Sequence, residues 1–266
     1  MRTLRLAGLA PFCLGLACLC LAAVQAKAAS PPGPPAPTLG ALAPENLKKP
    51  RPKPPFDLTG TWFVDTGFAS FKFGPPYPKF KPAAQAEYLA GEKATAEGRA
   101  YKDFIGQCYP AGLPMIMTRV WPIAMVQLPT VIYIVSGFEN AFRAVYLDGR
   151  PHSEPDIVVP SYNGESIGRW EGNTLVVDTV AIEPANHTID VGVPISSQFH
   201  VVERISMPNP ATLEIKYIMT DPENWDGEWV STKRWKRVDD QDITEVECLP
   251  DLDSHLPATN SVLNVR

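Results

Sequence analysis

A chain of 266 residues, 45% hydrophobic, with a formal net charge of −5, holds enough apolar material for one domain with a sizeable core. Its acidity makes it a poor partner for nucleic acid or an anionic membrane surface, where affinity comes from basic residues. Neither a phosphate loop nor a dinucleotide fingerprint occurs, which argues against a nucleotide-dependent enzyme.

Taken in chain order, Arg2 and Arg5 precede an apolar run from Leu6 to Val24 that ends in VQAKAA. A positive start, an apolar middle and small residues at the end predict a secretory signal peptide over 1–28. The periplasm or the extracellular space is therefore the expected location, with no stable membrane insertion after cleavage. Cleavage after Ala26 removes three of the five cysteines, and it leaves 22 basic against 29 acidic residues. The remaining pair, Cys108 and Cys248, is expected to form one disulfide in an oxidising compartment. Residues 29–55 contain PPGPPAP and KKPRPKPPF, a proline density that reads as an extended, disordered tether.

The ordered domain is placed at 56–250, followed by a flexible tail over 251–266. Residues 82–101 are the one clear helix, opened by Pro82, with a weak apolar stripe at Ala86, Leu89, Ala90 and Lys93. Nearly everything after it reads as strand, from PMIMTR through TVIYIVSG and TLVVDTVAI to EWVSTKRWKRV. Short turns between strands predict an all-β fold: an antiparallel meander closed into a β-barrel of about 8–10 strands, with one peripheral helix. A two-sheet sandwich is the alternative. The irregular stretches 148–164 and 182–197 are long enough to serve as lids.

SIGRWEGNTLVVDT, residues 166–179, reads as a hairpin turning at Gly172-Asn173. That register sets Trp170 opposite Leu175 and Arg169 opposite Val176, with Arg169 within diagonal reach of Asp178. The stretch, with CYPAGLPMIM (108–117), YLDGRPH (146–152), FHVVERI (199–205) and TDPENW (220–225), resembles a set of secreted bacterial proteins. The resemblance implies a signal peptide and a β-rich barrel and brings no particular activity with it. LTGTW at 58–62 is similar to the Gly-x-Trp opening of lipocalin-type barrels.

Candidate chemistry starts from four histidines, of which His255 belongs to the polar tail. A zinc site of His152, His187 and His200 has no supporting spacing, so no metal and no organic cofactor are expected. Asp148, Arg150 and His152 alternate just after a strand, suited either to a capped turn or to an acid–base pair with an oxyanion-holding arginine. In FHVVERI either His200 and Arg204 or Glu203 faces the interior. A buried Glu203 beside apolar neighbours would suit proton transfer. Surplus aromatics suggest a pocket for a flat, apolar molecule.

The sequence thus predicts a barrel that binds a small aromatic or apolar molecule and performs cofactor-independent lyase or isomerase chemistry on it. His152, His200, Arg150, Arg204 and Glu203 are the catalytic candidates. Tyr162, Trp170, Asp178, Tyr146 and His187 are the candidates for holding the ligand. A non-catalytic carrier and a cell-envelope interaction module are the rival expectations.

Overall fold

The computed structural model describes residues 39–248 except 69–70, 140 and 191. The expected signal peptide and C-terminal tail lie outside these residues.

Nine strands close into a barrel: β1 (Gly60–Val64), β2 (Ile123–Gln127), β3 (Val131–Ser136), β4 (Phe142–Tyr146), β5 (Glu165–Glu171), β6 (Thr174–Val180), β7 (His200–Asn209), β8 (Thr212–Thr220) and β9 (Trp229–Arg237). Around the barrel the order is β1-β9-β8-β7-β6-β5-β4-β3-β2, and β2 returns to β1. The sandwich alternative is thereby excluded. A ring of nine cannot alternate direction all the way round, so one seam must be parallel. That seam is β4–β5, with two residue pairs in register, Val145↔Ser166 and Tyr146↔Ile167. The expected all-antiparallel meander is corrected at this one junction.

The β5–β6 hairpin has the expected register, Trp170↔Leu175 and Arg169↔Val176, and Gly172 turns with φ 57°. Positive φ at the first central residue matches the right-handed twist of the flanking strands, and glycine adopts it without steric cost. Leu175, Val177 and Thr179 point inward and are fully buried; Asp178 is on the outer wall. Arg169 does not reach Asp178. It pairs along its own strand with Glu171, because both are exposed at the hairpin tip.

The interior is filled. Trp62, Trp235, Tyr217, Met125 and Leu213 are buried there, and Trp62 donates from its indole to the Leu58 carbonyl at 2.9 Å. Arg237 from the last strand stacks over the Trp62 ring at 4.4 Å, closing the barrel at the Gly-x-Trp stretch. One polar group runs through this core. Arg143 on β4 donates to Glu203 on β7 through both ends of its guanidinium, with Nη1–Oε1 at 3.1 Å. On the way it donates to the hydroxyls of Ser166 on β5 and Thr179 on β6, each at 3.1 Å. The one side chain therefore ties four strands across the parallel seam.

Long connections collect at one end of the barrel: 65–122, 181–199 and 221–228. The other end carries tight turns. The helix spans Pro82–Ala96, five residues shorter than expected, and it buries Ala84, Gly91 and Ala94. The expected stripe, Ala86, Leu89, Ala90 and Lys93, faces solvent. Small residues win because the backbone of the 182–197 insertion lies directly on the helix. A Cβ on Gly192 would come within 2.7 Å of the Glu87 carbonyl oxygen. PMIMTR, expected as strand, is a 3-10 turn at Met115–Thr118 that plugs the barrel end, where the Met117 carbonyl accepts from Trp235 at 3.1 Å.

The described part of the proline-rich stretch, 39–55, docks on the barrel instead of hanging as a tether. Asn46 is buried and donates to Asp148 at 2.8 Å. The Arg150 guanidinium, with Asn46, holds the Asp148 carboxyl down to about 2. Cys108 and Cys248 are bonded, as expected, and close a loop across 140 positions.

The buried fork yields a stability test. Arg143→Met leaves the Glu203 carboxylate uncompensated in the core and should cost about 3–5 kcal/mol. Arg143→Met combined with Glu203→Leu should recover most of that, read as denaturation midpoints of the two variants and the wild type.

Candidate functional site

The end that carries the long connections holds a cavity of about 310 Å³. Its walls are the segment after the helix (99–105), the turn before β2 (110–119) and the tip of the 182–197 insertion. Phe71, Tyr101, Phe104, Ile105 and Met115 line it and are each half-buried. The CYPAGLPMIM stretch thus contributes a wall, and the Cys108–Cys248 bond anchors that wall to the chain's final described residue.

His187 is the buried imidazole of this cavity, 4% exposed. Its Nδ1 is 2.9 Å from the Glu183 carbonyl oxygen. A carbonyl only accepts, so Nδ1 carries the proton and Nε2 keeps its lone pair. Nε2 is buried without a hydrogen-bond partner. Burial pushes the imidazole down to about 4, so the ring is neutral around pH 7. Gly112, at φ 64°, makes room for it: a Cβ there would be 2.3 Å from the ring's Cε1. Tyr162 packs on the other side with ring centroids 5.7 Å apart. Leu113, next to Gly112, donates to the Tyr162 carbonyl at 2.9 Å and holds the two segments together.

Two further charged groups complete the wall. Asp190, at φ 50°, accepts from the backbone of Phe73 at 2.9 Å and of Gly74 at 3.2 Å, tying the β1–β2 connection to the insertion. Burial pushes its carboxyl up against those bonds. Arg119 stacks its guanidinium over Phe138 at 5.0 Å, and its Nε is buried without a partner. No spacing in the sequence singles out Arg119 or Asp190. Gly112 is visible in CYPAGLPMIM, but its role depends on a histidine 75 positions later.

The other candidates are distributed differently. His152, His200 and Asp178 do meet, on the outer wall of β5–β7. The Nε2 atoms of both histidines are 3.0 Å from the same Asp178 oxygen, and His152 Nδ1 is 3.2 Å from Glu165. Ser153 donates to Glu165 from its backbone at 2.8 Å and its hydroxyl at 2.7 Å. The His200 and His152 bonds outweigh burial and hold the Asp178 carboxyl below its usual range. This network clamps the 147–164 crossover to the wall. His187 is separate from it, so the three histidines do not converge on a zinc site. Among the described residues no group of three or more His, Cys, Asp or Glu is arranged to hold a metal.

Arg150 is bound to Asp148 and stacked on Tyr146 at 4.0 Å, which makes LDGRPH a capped turn. Arg204 pairs with Glu171 on the outer wall. Glu203 faces inward, but its neighbour is Arg143 and not an apolar wall. Trp170 packs edge-on against Phe56 at 4.9 Å. Of the ligand-holding candidates, His187 lines the cavity; Tyr162 touches it through His187, and Trp170, Tyr146 and Asp178 stand elsewhere. Of the surplus aromatics, Trp225 and Trp229 join Tyr77, Phe80 and Tyr88 in a packed layer beneath the helix. One Gly-x-Ser-x-Gly string does occur, GESIG at 164–168, but Ser166 is 1% exposed in mid-strand and bound to Arg143. It is not a nucleophile elbow, which needs a strand-to-helix turn and an exposed hydroxyl.

Neither protein-family models nor curated proteins match this chain.

His187 sets a pH dependence. Its folded-state value lies below the unfolded one, so its contribution is fully present above about pH 6.5 and is lost as pH falls towards 4. The expected loss across that window is about 3 kcal/mol. His187→Gln should flatten the window in denaturant titrations run from pH 7 to pH 4.

Proposed function

We propose that this protein, acting in the periplasm or outside the cell, binds a small, flat, largely apolar molecule in the end cavity. There it moves a proton without a cofactor, as a lyase or isomerase. The observation that carries the reading is the cavity itself, about 310 Å³, lined by Phe71, Tyr101, Phe104 and Met115 with the neutral imidazole of His187 in its wall. Arg119 supplies positive charge for an oxyanion developing on the same molecule. The filled barrel core supports the end cavity over the barrel interior as the place of binding. We read the outer-wall histidines as structural, since Glu165 and Asp178 take both nitrogens of His152 and Asp178 takes Nε2 of His200.

One observation favours a carrier instead. His187 leans on a peptide carbonyl and not on a carboxylate, so nothing fixed in the wall strengthens it as a base. Incubating purified mature protein with an aromatic-rich metabolite extract separates the two readings by mass spectrometry. The enzyme reading expects one compound to disappear and another to appear in excess over the protein, with His187→Gln abolishing turnover. Stoichiometric retention of an unchanged compound overturns the catalysis and leaves the carrier.

A further inference from the structure

Each charged side chain of the described cavity wall already has an opposite charge beside it. Lys72 pairs with Glu92 at 3.7 Å, and Arg99 and Lys102 pair with Glu97 and Glu87. Arg119 faces two carboxylates, Asp103 within the wall and Glu139 outside it. Asp103 also accepts from the Gly106 backbone at 3.0 Å. Asp190 accepts from the backbone of Phe73 and Gly74, and Lys233 and Lys72 supply positive charge near it. His187 is neutral around pH 7.

An ion entering this wall meets no uncommitted counter-charge. It gives up its hydration for contact with Phe71, Phe104, Ile105 and Met115. Taking over one member of a wall pair strands the other member, so competition with the pairs gains little. A neutral molecule of the same shape keeps the hydrophobic gain and escapes that loss. Asn186 and Thr188, which also line the cavity, are polar but uncharged, and an amide or hydroxyl suits a neutral polar substituent.

We propose that the cavity selects uncharged molecules and excludes organic anions and cations alike, recognition resting on apolar contact and not on an ion pair. This rests on the proposed binding of a flat molecule in the same cavity and sets the charge that such a molecule must have. Charge on the ligand then arises only in the course of a reaction.

Isothermal titration of the full mature protein with benzamide, benzoate and benzamidine at about pH 7 tests it. The three share nearly one shape and are neutral, anionic and cationic in turn. Benzamide should bind tightest, with each ion weaker by about tenfold or more. Asp103→Asn takes a negative charge from the wall and should narrow the gap between benzamide and benzoate. Asn186→Asp adds one at a left-handed position that Asp tolerates, and should narrow the gap between benzamide and benzamidine. Thermal melts report whether each variant folds, and the order of the three ligands on the wild type stands without either. Benzoate or benzamidine binding the wild type as tightly as benzamide overturns the exclusion of ions and leaves the flat-ligand reading intact. Gaps that do not move in folded variants overturn the assignment of the selection to this wall. Cyclohexanecarboxamide, whose ring is puckered, tests flatness alone: its binding as tightly as benzamide overturns the flat-ligand reading while the charge order stands. Absence of binding by all four probes at millimolar concentration overturns both.

Discussion

The guanidinium of Arg143, spread across the inside of β4 to β7, is the interaction on which the rest of the barrel depends. A closed ring of nine strands must contain a parallel junction, and here that junction has two residue pairs in register. So short a ladder supplies few of the backbone hydrogen bonds that elsewhere hold neighbouring strands. Arg143 makes up the deficit from within. It starts on one side of the seam, donates to Ser166 on the other, and continues through Thr179 to Glu203. In a core filled mostly by Trp, Tyr, Met and branched aliphatics, both charges are desolvated. The pair is tolerable because its fork geometry and two hydroxyls satisfy the donors.

The same parity has consequences outside the barrel. Parallel neighbours require the chain to leave β4 at one end and re-enter β5 at the other, so residues 147–164 must run along the outer wall. A crossover of that length needs fastening. At its start Asp148 is gripped by Arg150 and by Asn46 from the docked N-terminal stretch. Further along, His152 and Ser153 bind Glu165 and Asp178. The histidine–carboxylate cluster that looks catalytic in the sequence is, in space, the fastening of a crossover. It is half-exposed, bonded within itself through Asp178 and lined up on a strand face, not in the described cavity.

Much of the architecture was legible because it depends on local rules. Gly172-Asn173 announced its hairpin and register, β-branched runs bounded by Gly, Pro and Asn announced strands, and the two cysteines outside the expected signal announced a bond. What stayed hidden was non-local. Alternation divides a strand into two faces but does not say which is inner when both carry polar groups. Arg143 and Lys233 are inside, whereas Val176 is buried on the outer side of β6. Strand counting to within one or two cannot settle parity, so the parallel seam and its crossover were not foreseen. The helix was recognised but its face was reversed, since the surface it meets is backbone at Gly192, which favours Ala and Gly over Leu. The cavity drew on segments about 70 positions apart, joined where His187 meets the space left at Gly112. Of the residues proposed from sequence, only His187 stood in that wall, because a histidine in a long insertion is conspicuous whatever surrounds it.

The chemistry proposed for His187 turns on one conflict. A ring depressed to about 4 is a reliable acceptor at neutral pH but a weak base, and the Glu183 carbonyl that fixes its tautomer does little to change this. Gly112 and the Glu183 carbonyl set the place and the tautomer of the same ring, so the shape of the wall and the chemistry of its imidazole depend on two backbone positions far apart in the chain.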